Sequence, residues 1–258
     1  MELLNIGCGD NAREGWVNLD LQGGRPGVLQ HDLTQGLPFD DGAFDAVYCS
    51  HVLEHLPKAE APALVAECLR VLRPGAVARL VVPDLEAIVR LYLKSLDRAL
   101  QGDARAEAEY DWMMLELFDQ TVREVSGGQM RRHWEQVPLP AESFVVARVG
   151  AELTGFLELL RRGEVPPQAP APPGSARDEA SLLGIGRFRR SGEVHHWMYD
   201  RLSLGRLMGA AGFSGVRVCL AQESAIPDFA RHHLDVTPEG RVRKPDSLFM
   251  EGLRPLEG

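Results

Sequence analysis

Two glycines and a pair of carboxylates near the amino end have the types and spacing to hold a nucleoside. In Asn5-Ile6-Gly7-Cys8-Gly9-Asp10 an apolar run breaks into a glycine loop, and Asp20 closes the next apolar run. Glycines let the backbone approach a ligand, and a carboxylate at the end of a second strand can accept hydrogen bonds from both ribose hydroxyls. The full GxGxxG cradle for a pyrophosphate is missing, and Asp20 comes sooner than the roughly 20-residue spacing of a dinucleotide site. The loop therefore favours a ribosyl ligand without a pyrophosphate. A carboxylate in this place has few structural reasons to exist, whereas Glu54 has an ordinary alternative as a cap or ion-pair partner at a helix start.

Histidines form the second chemical set. His51 and His55 bracket Val52-Leu53-Glu54, His195 and His196 precede Trp197, and His133 lies between them in sequence. Imidazole exchanges its proton near neutral pH, so each is a base candidate; each can equally be a cap or a packed core residue. Adjacent imidazoles cannot readily share one ion without further ligands at matching spacing, and none is evident, so no metal is expected. Trp134, Trp197 and Tyr199 can line a ligand pocket or simply fill a core. Cys8, Cys49, Cys68 and Cys219 contain no CxxC pair and read as reduced, packed thiols.

An alternation of strands and helices must position these groups. Leu3 to Ile6 reads as a buried strand, Trp16 to Leu19 as a second ending at Asp20, and the stretch around Leu29 to Leu33 as a short third. After the turn Asp40-Asp41-Gly42, Phe44 to Cys49 is a fourth strand. A helix is expected from about Lys58 to Arg73, stopped by Pro74-Gly75, and Ala78 to Val82 is strand five. The pattern implies a parallel sheet, which binds ligands at the carboxyl ends of its strands. The middle third reads as a helical insertion, with one helix marked by Leu85 to Leu96, a second from Ala104 to Val125, and a third marked by Val146 to Leu160. The Pro-rich segment 166–174 reads as an extended linker or loop. Then Asp200 or Ser203 caps a helix ended by Gly212, and Val216 to Cys219 and Leu248 to Met250 are the last strands. The expected organisation is 1–84 and 196–258 forming the α/β domain, with 85–195 as the insertion and substrate cap.

Four ordered blocks carry a family likeness: Asn5-Ile6-Gly7-Cys8-Gly9; Asp32-Leu33 leading into Leu37-Pro38-Phe39-Asp40-Asp41-Gly42-Ala43-Phe44-Asp45; Cys49-Ser50-His51-Val52-Leu53-Glu54-His55-Leu56; and Leu72-Arg73-Pro74-Gly75. On these blocks the chain resembles the class I S-adenosylmethionine-dependent methyltransferases. The resemblance implies a Rossmann-like, mostly parallel seven-stranded sheet with helices on both faces. It implies that Asn5, Gly7, Cys8 and Gly9 lie against the methionine part of the cofactor. Asp20 with Leu21 would then hold the ribose, Asp32 with Leu33 would border the adenine, and Ser50 and His51 would lie near the methionine end. Between Gly9 and Trp16 there is too little chain for the family's usual first helix, which is expected to be very short or absent. The segments His195 to Asp200 and Lys244 to Met250 resemble a bacterial branch with unassigned substrates, some of whose members sit beside polysaccharide biosynthesis genes. That branch implies a sugar or glycan acceptor.

Methyl transfer from a sulfonium is an in-line displacement, so the protein mainly aligns the acceptor and excludes water. A hydroxyl acceptor also needs a base. His51 and His55 rank first by their place after strand four, His195, His196 and His133 come from the insertion, and Asp84 at the end of strand five is the carboxylate alternative.

The net charge of 28 − 37 = −9 repels polyanions, which disfavours nucleic acid as a partner. The short basic runs Arg131-Arg132 and Gly186 to Arg190 read as solvated surface. Cys49-Ser50-His51-Val52 is not the Asn/Asp-Pro-Pro-aromatic signature of many amino-group methyltransferases, and no Pro-Cys nucleophile occurs. A small-molecule or carbohydrate acceptor is expected. No leader-like segment or window of roughly 18 apolar residues occurs, so a cytoplasmic location is expected. Two rival functions remain: a noncatalytic cofactor-binding protein, and a nicotinamide-dependent oxidoreductase, which requires the missing pyrophosphate cradle.

Overall fold

The computed structural model describes residues 1–168 and 179–256 of the 258-residue chain. Its strands are β1 (Leu3–Ile6), β2 (Val17–Asp20), β3 (Val28–Gln30), β4 (Phe44–Ser50), β5 (Leu72–Pro83), β6 (Ser214–Cys219) and β7 (Ser247–Leu253). They form one seven-stranded sheet in the order β3-β2-β1-β4-β5-β7-β6. The first five strands are parallel, and β7 runs antiparallel to both β5 and β6. The helices, in chain order, are α1 (Ala61–Val71), α2 (Leu85–Leu100), α3 (Ala104–Val122), α4 (Gly128–Trp134), α5 (Glu142–Val149), α6 (Ala151–Arg162), α7 (Glu179–Arg189), α8 (Arg201–Ala211) and α9 (Phe229–His232). Among the described residues no helix is long and apolar enough to cross a membrane. Of the Pro-rich segment, 166–168 is irregular backbone and 169–174 lies outside the described residues.

The chain divides into two compact units, one of 1–84, 197–242 and 247–258, the other of 85–196 and 243–246. The sheet belongs to the first. Alternation along its strands sends Leu4, Ile6, Val47, Cys49, Leu80 and Val82 to one face, where Leu64, Val65 and Cys68 of α1 and Leu204 and Met208 of α8 cover them. The opposite face presents Leu3, Ala46, Tyr48, Val77 and Val81. It is covered mainly by the irregular chain after β6, through Ala221, Ile226, Phe229, Leu234 and Val236, with only the short α9 as helix.

That covering replaces a helix the parallel topology normally supplies. Parallel strands usually need a crossover of about a dozen residues or more, commonly helical. Here residues 7–16 join β1 to β2 with no helix among them. A polar row crosses the sheet beneath the covering chain: Asn18 pairs in register with Asn5, Asn5 with Tyr48, Tyr48 with Arg79, Arg79 with Glu251 and Glu251 with Arg217. Arg79 Nε donates to Asp235 Oδ2 at 2.6 Å, its Nη1 to Glu251 Oε1 at 3.0 Å, and Tyr48 donates to Asp235 Oδ1 at 2.5 Å. The same guanidinium donates to the carbonyls of Leu220 and Glu223, tying the covering chain down.

The segment from Lys58 to Arg73 differs from expectation at both ends. Its helix starts at Ala61 with Pro62 in the first turn and stops at Val71, and the chain turns directly into β5 at Leu72. Pro74-Gly75 therefore lies within β5, where the Gly75 N–H pairs with the Arg254 carbonyl, instead of acting as the helix stop.

Asp200 caps α8 through its Oδ1, which accepts from the Leu202 and Ser203 N–H groups, and Ser203 completes a capping box. Replacing Asp200 with Ala is expected to destabilise the sheet-bearing unit by about 1 kcal/mol, checked by urea unfolding. The Ser203 backbone N–H holds the Asp200 carboxyl below its usual range. A depressed folded pKa means the contribution is present above the unfolded value of about 3.9 and is lost as pH falls through the folded one.

In the helical unit, α2 and α3 pair through Tyr92 and Tyr110, whose rings lie 5.7 Å apart. Trp112 and Arg148 converge on the buried Glu116, at 2.5 Å and 2.9 Å. The expected single helix from Val146 to Leu160 is two helices. Gly150 adopts φ +72°, and a Cβ there would stand 2.6 Å from the Arg243 carbonyl oxygen and 2.5 Å from Pro245. Ala151 N donates to that same carbonyl at 3.0 Å, so residues 243–246 pack with α5 and α6.

Candidate active site

The carboxyl ends of β1, β2, β4 and β5 share one edge, since Ile6 pairs with Leu19 and Cys49, and Ser50 with Val81. The chain reverses its direction of strand addition between β1 and β4, and such a switch point opens a crevice at that edge. Antiparallel β7 begins there too, with Ser247 opposite Pro83. The glycine loop and the turn after β4 meet at the crevice: a Cβ on Gly7 would lie 2.2 Å from Val52 Cγ2.

The loop is held from below and from one side. Asn5 is buried, and its amide donates to the Asn11 carbonyl at 3.1 Å and to Asn18 Oδ1 at 3.0 Å. Asn18 in turn binds Arg13 N and the carbonyls of Arg13 and Trp16. Two asparagines thus order residues 7–16 in place of a helix, and the Asn5 side chain is engaged inside the scaffold. Gly7 N and Cys8 N both donate to the Leu19 carbonyl, at 2.8 and 3.2 Å, and Asn11 N donates to the Cys8 carbonyl at 2.7 Å. Cys8 is buried, and burial followed by the Asp20 charge pushes its thiol up.

Asp20 closes the loop. Its Oδ2 accepts from Gly9 N at 2.8 Å and its Oδ1 from Gln22 N at 2.9 Å, with Arg25 Nη2 3.7 Å from Oδ1. A carboxylate offers about four lone-pair positions, so positions remain for a pair of hydroxyls. Arg25 also binds the Gly9 carbonyl and Asp10. Every backbone N–H of Gly7, Cys8, Gly9 and Asn11 is engaged within the protein, and no helix N-terminus follows. The loop therefore has no cluster of amides to bind a pyrophosphate, and its charged neighbours are the Asp10 and Asp20 carboxylates bridged by the Arg25 guanidinium.

Gly9 is the open side of the loop, with φ +48° and nothing within 4 Å of an added Cβ. Gly9→Ala is expected to cost about 1–2 kcal/mol of backbone strain and to leave the fold intact. Its methyl group would enter the open space, and weaker binding of S-adenosylmethionine by about tenfold is expected, a loss of roughly 1.4 kcal/mol. Gly7→Ala, by contrast, meets the stiff Val52 side chain and should lower the melting temperature more. Thermal melts and calorimetry on both variants check this contrast.

Leu21 is exposed, its carbonyl accepting from Gln30 Nε2 at 3.2 Å. Asp32 caps the 3-10 turn Leu33–Gln35, its Oδ1 accepting from Thr34 N and Oγ1, and these bonds hold its carboxyl below the usual range. Leu33 packs against the core of the sheet.

His51 extends the β4 ladder through its N–H to the Val81 carbonyl at 2.9 Å, at φ +54°, a conformation non-glycine residues rarely adopt. Its Nε2 is 2.9 Å from Ser247 Oγ and its Nδ1 3.0 Å from Glu54 Oε1. Glu54 is fully buried. Ser50 precedes this turn, His55 ends the 3-10 turn Leu53–His55, and Asp84 follows β5 with a bridge to Tyr199. Tyr199 lies in the core, with a buried hydroxyl that has no hydrogen-bond partner among the described residues; burial and then Glu54 push it up to about 12. Trp197 stacks under Lys58 Nζ at 4.1 Å.

The remaining base candidates belong to the helical unit. His195 is buried, its N–H donating to the Gln120 carbonyl and its Nε2 lying 3.0 Å from Gln120 Nε2. His196 Nε2 is 3.1 Å from the Arg189 carbonyl oxygen. His133 is buried beside Trp112, and burial lowers its imidazole. Trp134 stacks on Trp112 and meets Phe156 at a tilt within that unit. Sequence reasoning passed over Arg79, Asn18, Ser247 and Asp235. The one signal was Arg79 itself, a charge inside the apolar run Ala78 to Val82.

Residues 10–80 match the methyltransferase domain family. A probable methyltransferase of Aspergillus luteorubrus is 30% identical over 108 residues, and the match spans 38% of this chain and 38% of that relative. Among solved structures, an S-adenosylmethionine-dependent methyltransferase of Methanosarcina mazei aligns over 99% of this chain and 93% of its own, at 16% identity and a TM-score of 0.41. A possible histamine N-methyltransferase of Thermotoga maritima aligns over 98% of this chain and 82% of its own, at 10% identity and a TM-score of 0.39. The match over residues 10–80 falls in the sheet-bearing unit, and with the four sequence blocks and the strand order it makes that unit similar to the class I S-adenosylmethionine-dependent methyltransferases.

Proposed function

We propose that this protein binds S-adenosylmethionine at the Gly7 to Gly9 loop and transfers its methyl group to a hydroxyl of a small-molecule or carbohydrate acceptor. The observation that carries this reading is the loop itself: the Gly7, Cys8 and Gly9 amides are engaged, its open side is Gly9, and the Asp20 carboxylate closes it with positions left for a pair of hydroxyls. That set suits a ligand with a ribose and disfavours a dinucleotide.

Asp20 would hold the ribose hydroxyls, with Asp32 and Leu33 at the adenine and the turn at Ser50 and His51 towards the methionine. When bound, the cofactor supplies an electrophilic methyl group on sulfur. The protein's part is to align an acceptor oxygen on that carbon, keep water out, and take the proton. His51 is our first choice for the proton, since it stands beside the glycine loop through Val52; His55 and Asp84 are the alternatives in the same unit. We assign selection of the acceptor to the helical unit, with His195 and His196. The four cysteines are buried and unpaired, which supports a reducing, cytoplasmic location.

The test is incubation with methyl-tritiated S-adenosylmethionine and a panel of methyl glycosides and simple phenols. Label in a neutral product supports the reading. Tight binding of the cofactor with no transfer to any acceptor would favour a noncatalytic binding protein.

A further inference from the structure

We infer that Glu54 is a positioning residue that holds the His51 ring in the tautomer with Nδ1 protonated, leaving Nε2, on which the Ser247 hydroxyl rests, as its proton acceptor. The inference rests on the methyltransferase reading for its purpose and on the geometry of one unit for its content. The Glu54 side chain is fully buried, and its Oε1 stands 3.0 Å from Nδ1. That contact is close without being aligned as a hydrogen bond, and a neutral imidazole relieves a buried carboxylate only by turning to it the nitrogen that carries hydrogen. With Nδ1–H turned to Glu54, the lone pair sits on Nε2, and the Ser247 hydroxyl at 2.9 Å donates to it.

The arrangement is held against strain. His51 sits at φ +54°, fixed by its ladder bond to Val81 and by Val52 packed on Gly7. Outliers of this kind cluster where a side chain must be aimed. Other charged or titratable groups face the same place: Asp235, from the chain after β6, which acts electrostatically on His51; Tyr199, beside Glu54; and His55, with a ring nitrogen within 4.8 Å of a Glu54 oxygen. In this tautomer an acceptor hydroxyl takes the place of Ser247. Its proton passes to Nε2 as an oxygen lone pair forms the new bond to carbon, and the carbon–sulfur pair stays on sulfur, leaving a neutral thioether.

The experiment is long-range proton–nitrogen NMR of the full chain labelled at the histidine ring nitrogens, recorded at about pH 8.5, above the titration of free imidazole. The His51 signals are identified by their loss in His51→Gln. We expect a protonated Nδ1 and an unprotonated Nε2 in the wild type, retention of that pattern in Glu54→Gln, whose carbonyl oxygen can still accept, and its loss in Glu54→Leu. Should Glu54→Leu not fold, Ser247→Ala serves: Nδ1 stays protonated while the Nε2 shift moves with the lost donor. A wild type with hydrogen on Nε2, or a pattern indifferent to both Glu54→Leu and Ser247→Ala, overturns the inference. Calorimetry with S-adenosylmethionine on the same samples separates the two claims, because absent cofactor binding contradicts the methyltransferase reading whatever the tautomer.

Discussion

Replacing Arg79 with Met should destabilise the sheet-bearing unit by about 3–5 kcal/mol, the usual cost of removing one partner from a buried ion pair. Arg79 is fully buried in the middle of β5 and faces the carboxylates of Asp235 and Glu251. Burial pulls its guanidinium down, but the two carboxylates outweigh this and hold it above its usual range. Burial pushes Asp235 up despite Arg79, so loss of the cation leaves that carboxyl to take a proton. Burial also pushes Glu251 up, but Ser224, Ala225 and Arg79 outweigh it and leave it below its usual range. The loss should also release the covering chain, since Arg79 binds the carbonyls of Leu220 and Glu223. At about 2–4 °C per kcal/mol for a chain near this size, the melting temperature should fall by ~10 °C. The double variant Arg79→Met with Asp235→Leu should recover part of the loss, because the uncompensated charge goes with its partner. A fall of only a degree or two in the single variant would contradict the buried network.

Asp20→Ala should weaken S-adenosylmethionine binding by about 100-fold or more, since hydrogen bonds to a charged acceptor are each worth about 1.5–3 kcal/mol. Two effects combine. The variant removes the acceptor for the ribose hydroxyls, and it frees Gly9 N and Gln22 N, which the carboxylate fixes. Asp20→Asn retains one oxygen for Gly9 N and should fall between the wild type and Asp20→Ala. Calorimetric titration reads both, and a change of less than about threefold in Asp20→Ala, under 1 kcal/mol, would remove Asp20 from the site.

The fold was legible where a single element states its own pattern. Apolar runs closed by Gly7, Asp20 and Ser50 gave the parallel strands, and Asp200 and Gly212 marked both ends of α8. Two of the four family blocks turn out to hold the scaffold together. Arg70 ties Asp41 and the carbonyls of Leu37 and Phe39 to α1, and Arg73 pairs with Asp45. What the sequence concealed are contacts between residues far apart in the chain. Arg79 meets Asp235 across 156 positions and His51 meets Ser247 across 196, and no periodicity records such pairs. The break at Gly150 was hidden for the same reason: the apolar spacing continues through it, and its cause is Arg243 and Pro245. The absence of the first crossover helix followed from the short span between Gly9 and Trp16. That the chain after β6 covers the vacant face did not.

The most direct test of the central claim is calorimetric titration of the purified protein with S-adenosylmethionine and, separately, with NADH, each repeated on Asp20→Ala. The account predicts saturable binding of S-adenosylmethionine that collapses in the variant, and no comparable binding of NADH. Binding of NADH in preference, or no binding of S-adenosylmethionine by the wild type, would contradict it.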